Sequence, residues 1–238
     1  MFPTEFSQIA SRLTNQPPIA FATASLRGLE NAEQITKKIF EESGIPVEII
    51  SGETEAYYSF LGAKSTFRVK SGISVDLGGG STELVAFRRN TAVESVSLPF
   101  GCLTLYHEFF SNGKCDFDGC NKLIRETLKK SAPRFNGSTV LLSGGSAKAI
   151  LRYKNFLENK NSYSVGLHQM KKIARHFQEG KPEERKVMEG MLKDRFRLIP
   201  SALCVFRQIV SHYGKEQAFI CRCGVREGCL LHHLKENQ

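Results

Sequence analysis

Eight residues constrain this chain more than any other stretch: Asp76-Leu77-Gly78-Gly79-Gly80-Ser81-Thr82-Glu83. An apolar, partly β-branched run, Gly72-Ile73-Ser74-Val75, leads into them, and Leu84-Val85-Ala86-Phe87 follows. The pattern predicts two antiparallel strands joined by a tight glycine turn. A plain hairpin needs one or two glycines, so three in a row point to something held close to the backbone. With no Cβ in the way an anion can approach, and successive N–H groups at such a tip form a concave nest for phosphate oxygens. Asp76 and Glu83, one at each end, are carboxylates placed to hold a divalent cation, directly or through water.

A second glycine turn, Ser143-Gly144-Gly145-Ser146, follows the apolar run Thr139-Val140-Leu141-Leu142 and opens a helical pattern. The unpaired N–H groups of that helix then point at the loop. Together the two turns suggest a grip on one phosphate chain from opposite sides.

The remaining pattern alternates strands and helices. A short polar helix is expected over 1–16, ended by Pro17-Pro18, then a buried strand at 19–24. Asn31 opens an amphipathic helix with Ile35, Ile39 and Phe40 on one side, stopping at Gly44. A strand at 47–50 follows, and Ser51 caps a helix through Tyr57-Tyr58 and Leu61. Strand, helix, strand, helix implies parallel pairing. Further strands are expected at 72–77, 82–88, 92–98, 139–142 and 218–221. Helices are expected at 101–110, 117–134, after Ser146, over 167–213 and at the end. Pro182 starts one of these, and Pro200 interrupts or kinks another. The expected division is a first domain over 1–68 and a second over 69–238.

Charge narrows the partner. Lys and Arg number 33 against 24 Asp and Glu, a formal +9, which suits a polyanion: nucleic acid, a nucleotide or a phosphate polymer. Aromatic interleaving is weak and Trp is absent, which argues against a specific nucleic-acid platform. No apolar run approaches the roughly 20 residues of a membrane helix, and the first residues lack the basic and apolar regions of a signal peptide. The seven cysteines are odd in number and lack paired C-x-x-C spacing. They read as reduced thiols of a cytoplasmic protein. Cys221 and Cys223 are expected on one strand, facing the same way.

The order of elements, with Asp-Leu-Gly-Gly-Gly-Ser on a hairpin and a later Gly-Gly-Ser turn, resembles the actin-like (ribonuclease H-like) ATPase superfamily. Ala22-Thr23-Ala24-Ser25-Leu26-Arg27 is similar to the A-T-S/A-A-x-R stretch of the exopolyphosphatase and guanosine pentaphosphate phosphohydrolase (Ppx/GppA) family. So are Ile50-Ser51-Gly52-Glu53-Thr54-Glu55-Ala56, continuing to Phe60-Leu61-Gly62, and Gly224-Val225-Arg226-Glu227-Gly228. Pro99-Phe100-Gly101-Cys102 fits the start of a family helix. The resemblance covers about 19–230.

That resemblance implies an α/β protein of two actin-like domains with the active site in the cleft between them. It implies that Glu55 orients water for attack on a terminal phosphoryl group, and that Asp76, with Glu83 nearby, holds Mg²⁺. Gly78, Gly79, Gly80 and Ser81 match one phosphate loop, and Gly144, Gly145 and Ser146 a second. Arg27 matches an arginine that clamps phosphate oxygens. The substrate class is inorganic polyphosphate or guanosine pentaphosphate, which share the same terminal anhydride. Glu227 reads as a first-turn helix acid with no assigned role.

One departure stands out. Family members open with a strand, a Gly-Ser/Thr-Asn turn and two further strands, whereas only 18 residues, none of them Gly, precede Ile19 here. The expectation is a truncated first domain whose parallel strands keep an open edge, and three explanations compete: a mis-assigned start or split gene, a truncated homologue with altered or no activity, or a second subunit that completes the cleft. Association with another copy or a completing subunit would satisfy that edge. A non-catalytic polyphosphate or nucleotide sensor is the rival reading, because a missing set of preorganised donors costs on the order of 10²–10³ in rate.

Overall fold

The computed structural model describes residues 3–13, 18–137 and 139–236. Two compact units emerge, Met1–Glu55 and Ala56–Gln238.

The first unit contains α1 (Pro3–Leu13), β1 (Ala20–Ala22), α2 (Ala24–Arg27), α3 (Ala32–Ser43), β2 (Val47–Ile49) and the opening of α4 (Gly52–Thr66). Pro17 and residues 14–16, assigned above to the end of a helix, lie outside the described residues. β1 and β2 pair in parallel, Phe21 opposite Glu48, as the alternation implied. β1 is shorter than expected and only half-buried, because a sheet of two three-residue strands cannot cover its own faces. The chain turns into α2 at Ala24, so Arg27 ends a short helix. α3 stops at Gly44 in the left-handed region (φ 70°), where its N–H reaches the Phe40 carbonyl at 2.8 Å. Ile35 and Ile39 are half-buried on this helix, but the Phe40 side chain is 52% exposed. Ser51 caps α4: its Oγ accepts the Thr54 N–H at 3.0 Å.

The second unit is built on a sheet in the order β5-β4-β3-β6-β8-β7. The strands are β3 (Ser71–Leu77), β4 (Thr82–Arg88), β5 (Thr91–Leu98), β6 (Thr139–Ser143), β7 (Ser164–Gly166) and β8 (Gln217–Ile220). β3, β4 and β5 form an antiparallel meander, while β6 runs parallel to β3 and β8 parallel to β6. The short β7, antiparallel to β8, has no clear alternation in the sequence and was not foreseen. Helices α5 (Cys102–Phe109), α6 (Phe117–Ser131), α7 (Gly145–Glu158), α8 (Leu167–Glu179), α9 (Pro182–Leu192), α10 (Ile199–His212) and α11 (Val225–Glu236) complete it, with a 3-10 segment at Lys193–Leu198. Pro200 lies in the first turn of α10 and starts that helix rather than kinking it, since its missing N–H is unneeded there.

Strand alternation divides the core. Ile73, Val75, Leu77, Leu84, Ala86, Val140, Leu142 and Ile220 join the larger cluster, which takes in the buried residues of α10. Val85, Phe87, Leu141 and Cys221 point the other way, against Ala56, Phe60 and Ala63 of α4. α11 presses on α4 with backbone nearly touching backbone: a Cβ on Gly228 would stand 1.7 Å from the Tyr58 carbonyl oxygen. Of the two glycines of Gly-Val-Arg-Glu-Gly, Gly228 is therefore explained by helix packing, whereas a Cβ on Gly224 would meet open space. Among the described residues no helix is long and apolar enough to cross a membrane.

Candidate active site

The hairpin forms as its sequence dictates, with Asp76 opposite Glu83 and Leu77 opposite Thr82. Directly opposed residues of an antiparallel pair share a face, with Cβ atoms about 5 Å apart. Asp76 is also in register with Ser143 of β6, and Glu83 with Ser97 of β5. A polar row, Ser97, Glu83, Asp76 and Ser143, thus crosses the sheet on the face that α4 covers. Ser97 Oγ donates to Glu83 Oε1 at 2.9 Å. Ser59, from α4, donates to Asp76 Oδ2. Glu83 is almost fully buried.

Burial pushes the Asp76 carboxyl above the ordinary carboxylate range, and Glu227 adds to that push. The Ser59 and Ser143 hydroxyls and the Lys148 charge pull it back. Glu227 is exposed to opposite forces: burial works to raise its pKa, but the Gly224 N–H, its own backbone and Lys148 carry it below the ordinary range. Its Oε2 accepts the Gly224 N–H at 2.8 Å. The first-turn acid of the sequence reading therefore also contributes charge to the Asp76 environment.

The two glycine loops converge on Asp76. The first is locked by its carbonyls: Gly78 O accepts from Cys102 N at 2.9 Å and Gly79 O from Leu103 N at 3.0 Å, at the start of α5. The Gly79 and Gly80 N–H groups meet no backbone acceptor among the described residues, so the tip keeps the donors an anion needs. In the second loop Gly144 has φ 97°, and a Cβ there would lie 2.9 Å from Leu77 O and 3.2 Å from Asp76 Oδ1. Only glycine satisfies both the backbone angle and the close approach. Ser146, in the first turn of α7, is buried beside the Cys102 thiol, and its Oγ meets no nitrogen or oxygen partner. The N–H groups at the start of α7 point into the same loop and are donors suited to an anion.

Arg195, from the 3-10 segment, was missed from the sequence. A Cβ on Gly145 would be 2.9 Å from its guanidinium, so this cation lies against the second loop. It lies within electrostatic reach of Cys102. No motif marks it; its place is fixed by α9 and α10, which flank the 3-10 segment.

In the first unit the structure joins the two residues singled out there. Arg27 Nη1 donates to Glu55 Oε2 at 3.2 Å and to the Ile50 carbonyl at 2.9 Å. The Glu55 side chain is 9% exposed and Arg27 29%. Arg27 fixes the carboxylate through one nitrogen of its fork. The Cys221 and Cys223 expectation is corrected: β8 ends at Ile220, so the pair lies beyond the strand, with Cys221 buried and Cys223 half-buried. Burial, first, and then Cys223 and Asp76 raise the Cys221 thiol to about 12.

A model of the Ppx/GppA phosphatase family matches residues 4–237. The chain belongs to that family. It is similar to the solved Ppx/GppA family member of Aquifex aeolicus, with 25% identity and a TM-score of 0.83 over 99% of this chain and 80% of that one. It also shares the fold of an exopolyphosphatase from Cytophaga hutchinsonii, with 20% identity, a TM-score of 0.85 and coverage of 98% and 80%. The actin-like α/β architecture expected from the two glycine turns is the one this Ppx/GppA chain adopts. The donor set also suits the metal that family resemblance implies. Mg²⁺ is held by one or two carboxylates together with substrate phosphates and waters. Asp76 and Glu83, opposed on one sheet face, supply that number.

Proposed function

We propose that this protein is a phosphohydrolase that releases terminal orthophosphate from inorganic polyphosphate or from the 5′ end of guanosine pentaphosphate. The observation that carries this reading is the convergence of both glycine loops on Asp76, with Arg195 against the second loop. Phosphoryl transfer asks mainly for positioning and charge stabilisation, and these groups supply both. The Gly79 and Gly80 amides and the N-terminus of α7 hold phosphate oxygens, while Arg195 offsets their charge. Asp76 and Glu83 would hold Mg²⁺, which when bound neutralises charge on the phosphoryl oxygens. Glu55, kept in place by Arg27, orients the attacking water and accepts its proton.

The test is release of orthophosphate from polyphosphate and from guanosine pentaphosphate with Mg²⁺, comparing the protein with its Glu55→Gln variant. Glu55→Gln should lower kcat by about 10²-fold or more while leaving substrate affinity within about threefold. Lost binding with retained turnover would remove Glu55 from its role. Tight binding with no turnover in either protein would establish the non-catalytic sensor instead.

A further inference from the structure

The positive charge of this chain is not spread evenly. The first unit is acidic on balance, with Arg12, Arg27, Lys37 and Lys38 against eight Asp and Glu residues. The formal +9 therefore comes from the second unit, and α8 concentrates part of it. His168, Lys171, Lys172 and Arg175 recur there at spacings that place them on one side of the helix, and all four are exposed. They frame a cleft of about 540 Å³ with no carboxylate among its described lining residues. Met170, Ile173 and Ala174 of the same helix are buried, so packing against the core turns the basic row outward.

A solvated helix gains from balancing its charges. α3 does so: Lys37 and Lys38 face Glu41 and Glu42 one turn on, each at 3.9 Å. α8 does the reverse. Lys171 and Arg175 stand at i,i+4 and Lys172 and Arg175 at i,i+3, spacings at which like charges cost helix stability. Its first turn has no acid to complement the dipole. Gln169 of α8 donates to the Glu158 carboxylate at 2.8 Å, but Glu158 is paired with Lys154 at 3.0 Å. Among the described residues no ion pair engages Lys171, Lys172 or Arg175, although Glu179 follows Arg175 by one turn. The face therefore carries unneutralised charge that a bound polyanion would offset.

The chemistry of the face selects the polyanion. The other exposed residues of α8 are Gln178 and Glu179, so the face offers no apolar or aromatic side chain. The centre of a protein interface is rich in such side chains and poor in lysine. Single-stranded nucleic acid is held by aromatic platforms on which its bases stack. The major groove of duplex RNA is too narrow for side chains to enter. The B-DNA major groove is about 12 Å wide and admits an α-helix, and lysine and arginine bind DNA phosphates without apolar help. The row from 168 to 175 runs roughly 10 Å along the helix axis. Duplex DNA carries one charge about every 1.7 Å of its own axis, so several phosphates come within reach of the row.

We propose that the outer face of α8 is a docking surface for duplex DNA, held by its phosphate backbone without its sequence being read. The surface is independent of the phosphohydrolase reading, because α8 supplies none of the groups assigned to that reaction.

The experiment is fluorescence anisotropy of a labelled duplex DNA of mixed sequence with the whole protein, over a series of salt concentrations. Single-stranded DNA, duplex RNA, long inorganic polyphosphate and poly-glutamate are the comparison probes. One variant combines Lys171→Gln with Arg175→Gln. The control combines Lys37→Gln with Lys38→Gln and removes the same charge from the balanced helix α3. All four residues are exposed, and circular dichroism checks the fold of each variant. Duplex DNA should bind, and more weakly as salt rises. The α8 variant should lose about tenfold in affinity at low salt, and its plot of log affinity against log salt should flatten by about 0.9 for each cation removed. The α3 control should leave both unchanged. Absent duplex binding, an equal loss in the α3 control, an unchanged salt slope in the α8 variant, or single-stranded DNA or duplex RNA bound as tightly would overturn the proposal. Polyphosphate or poly-glutamate bound with the same dependence on Lys171 and Arg175 would assign the face to the substrate chain or to an acidic protein and overturn it as well.

Discussion

The two units of this chain carry their candidate groups on very different foundations. In the second, the carboxylates and both glycine loops are tied to a six-stranded sheet with apolar layers on both faces. In the first, Arg27 and Glu55 rest on a two-stranded sheet, and among the described residues the buried hydrophobic ones are Ala32, Ile45 and Ile50. Ile9, Leu13, Ile19, Leu29 and Phe40 of that unit are all exposed large apolar side chains. Protection of a backbone group scales with the packing around it. The glycine loops should therefore be preformed, whereas the Arg27–Glu55 pair should open more often.

The largest test of this contrast is Phe206→Ala. Phe206 is buried in α10 within the main core, and its loss should cost about 3–5 kcal/mol. Hydrogen exchange followed by mass spectrometry should show faster exchange across β3, β6 and α10, with 20–22 and 47–49 unaffected because they exchange rapidly already. Uniform acceleration over all 238 residues would mean that the two units unfold as one and would break the comparison.

A smaller change of opposite sign is expected from Asp76→Asn. The folded protein raises the pKa of this carboxyl. Above the ordinary carboxylate value, the folded state therefore binds more protons than the unfolded state, and stability falls as pH rises through the interval between the two values. Without divalent cations the Asn variant should melt higher than the parent at neutral pH, and the difference should vanish in acid below both values. Mg²⁺ should raise the melting temperature of the parent and not of the variant. A variant that melts lower at neutral pH would show that the Ser59 and Ser143 hydrogen bonds outweigh the cost of burial.

The smallest effect is expected at Phe40→Ser. Its side chain is half-exposed on α3, so folding stability should change by less than about 0.5 kcal/mol. A loss of several times that, in a concentration-dependent melt, would show that another chain covers this face and would sharpen the contrast into one between a self-sufficient unit and one completed by association.

Much of the fold was legible because its signals are local. Three glycines between two apolar runs specify a hairpin, Gly44 stops α3, and Ser51 caps α4. The misses occurred where local signals were weak or overridden. Three residues of β7 show too little alternation to register. Pro200 looks like an interruption until the 3-10 segment before it is known, after which it is a helix start. Phe40 fits the apolar side of a helical pattern, but it stands half-exposed on α3.

The sequence alone singled out the candidate groups: Glu55, Asp76, Glu83, Arg27 and two glycine turns, each residue within or beside a short motif. Only the tertiary structure decided that Asp76 lies under Gly144, that Glu83 and Ser143 flank it in one row, and that Arg195 comes up against Gly145. It also turned the basic row of α8 outward. The physical reason is range. A turn or a cap is set by neighbours a few residues apart through steric and hydrogen-bonding rules. A constellation drawn from 76, 144 and 195 exists only after strand register and helix packing have fixed the backbone beneath it.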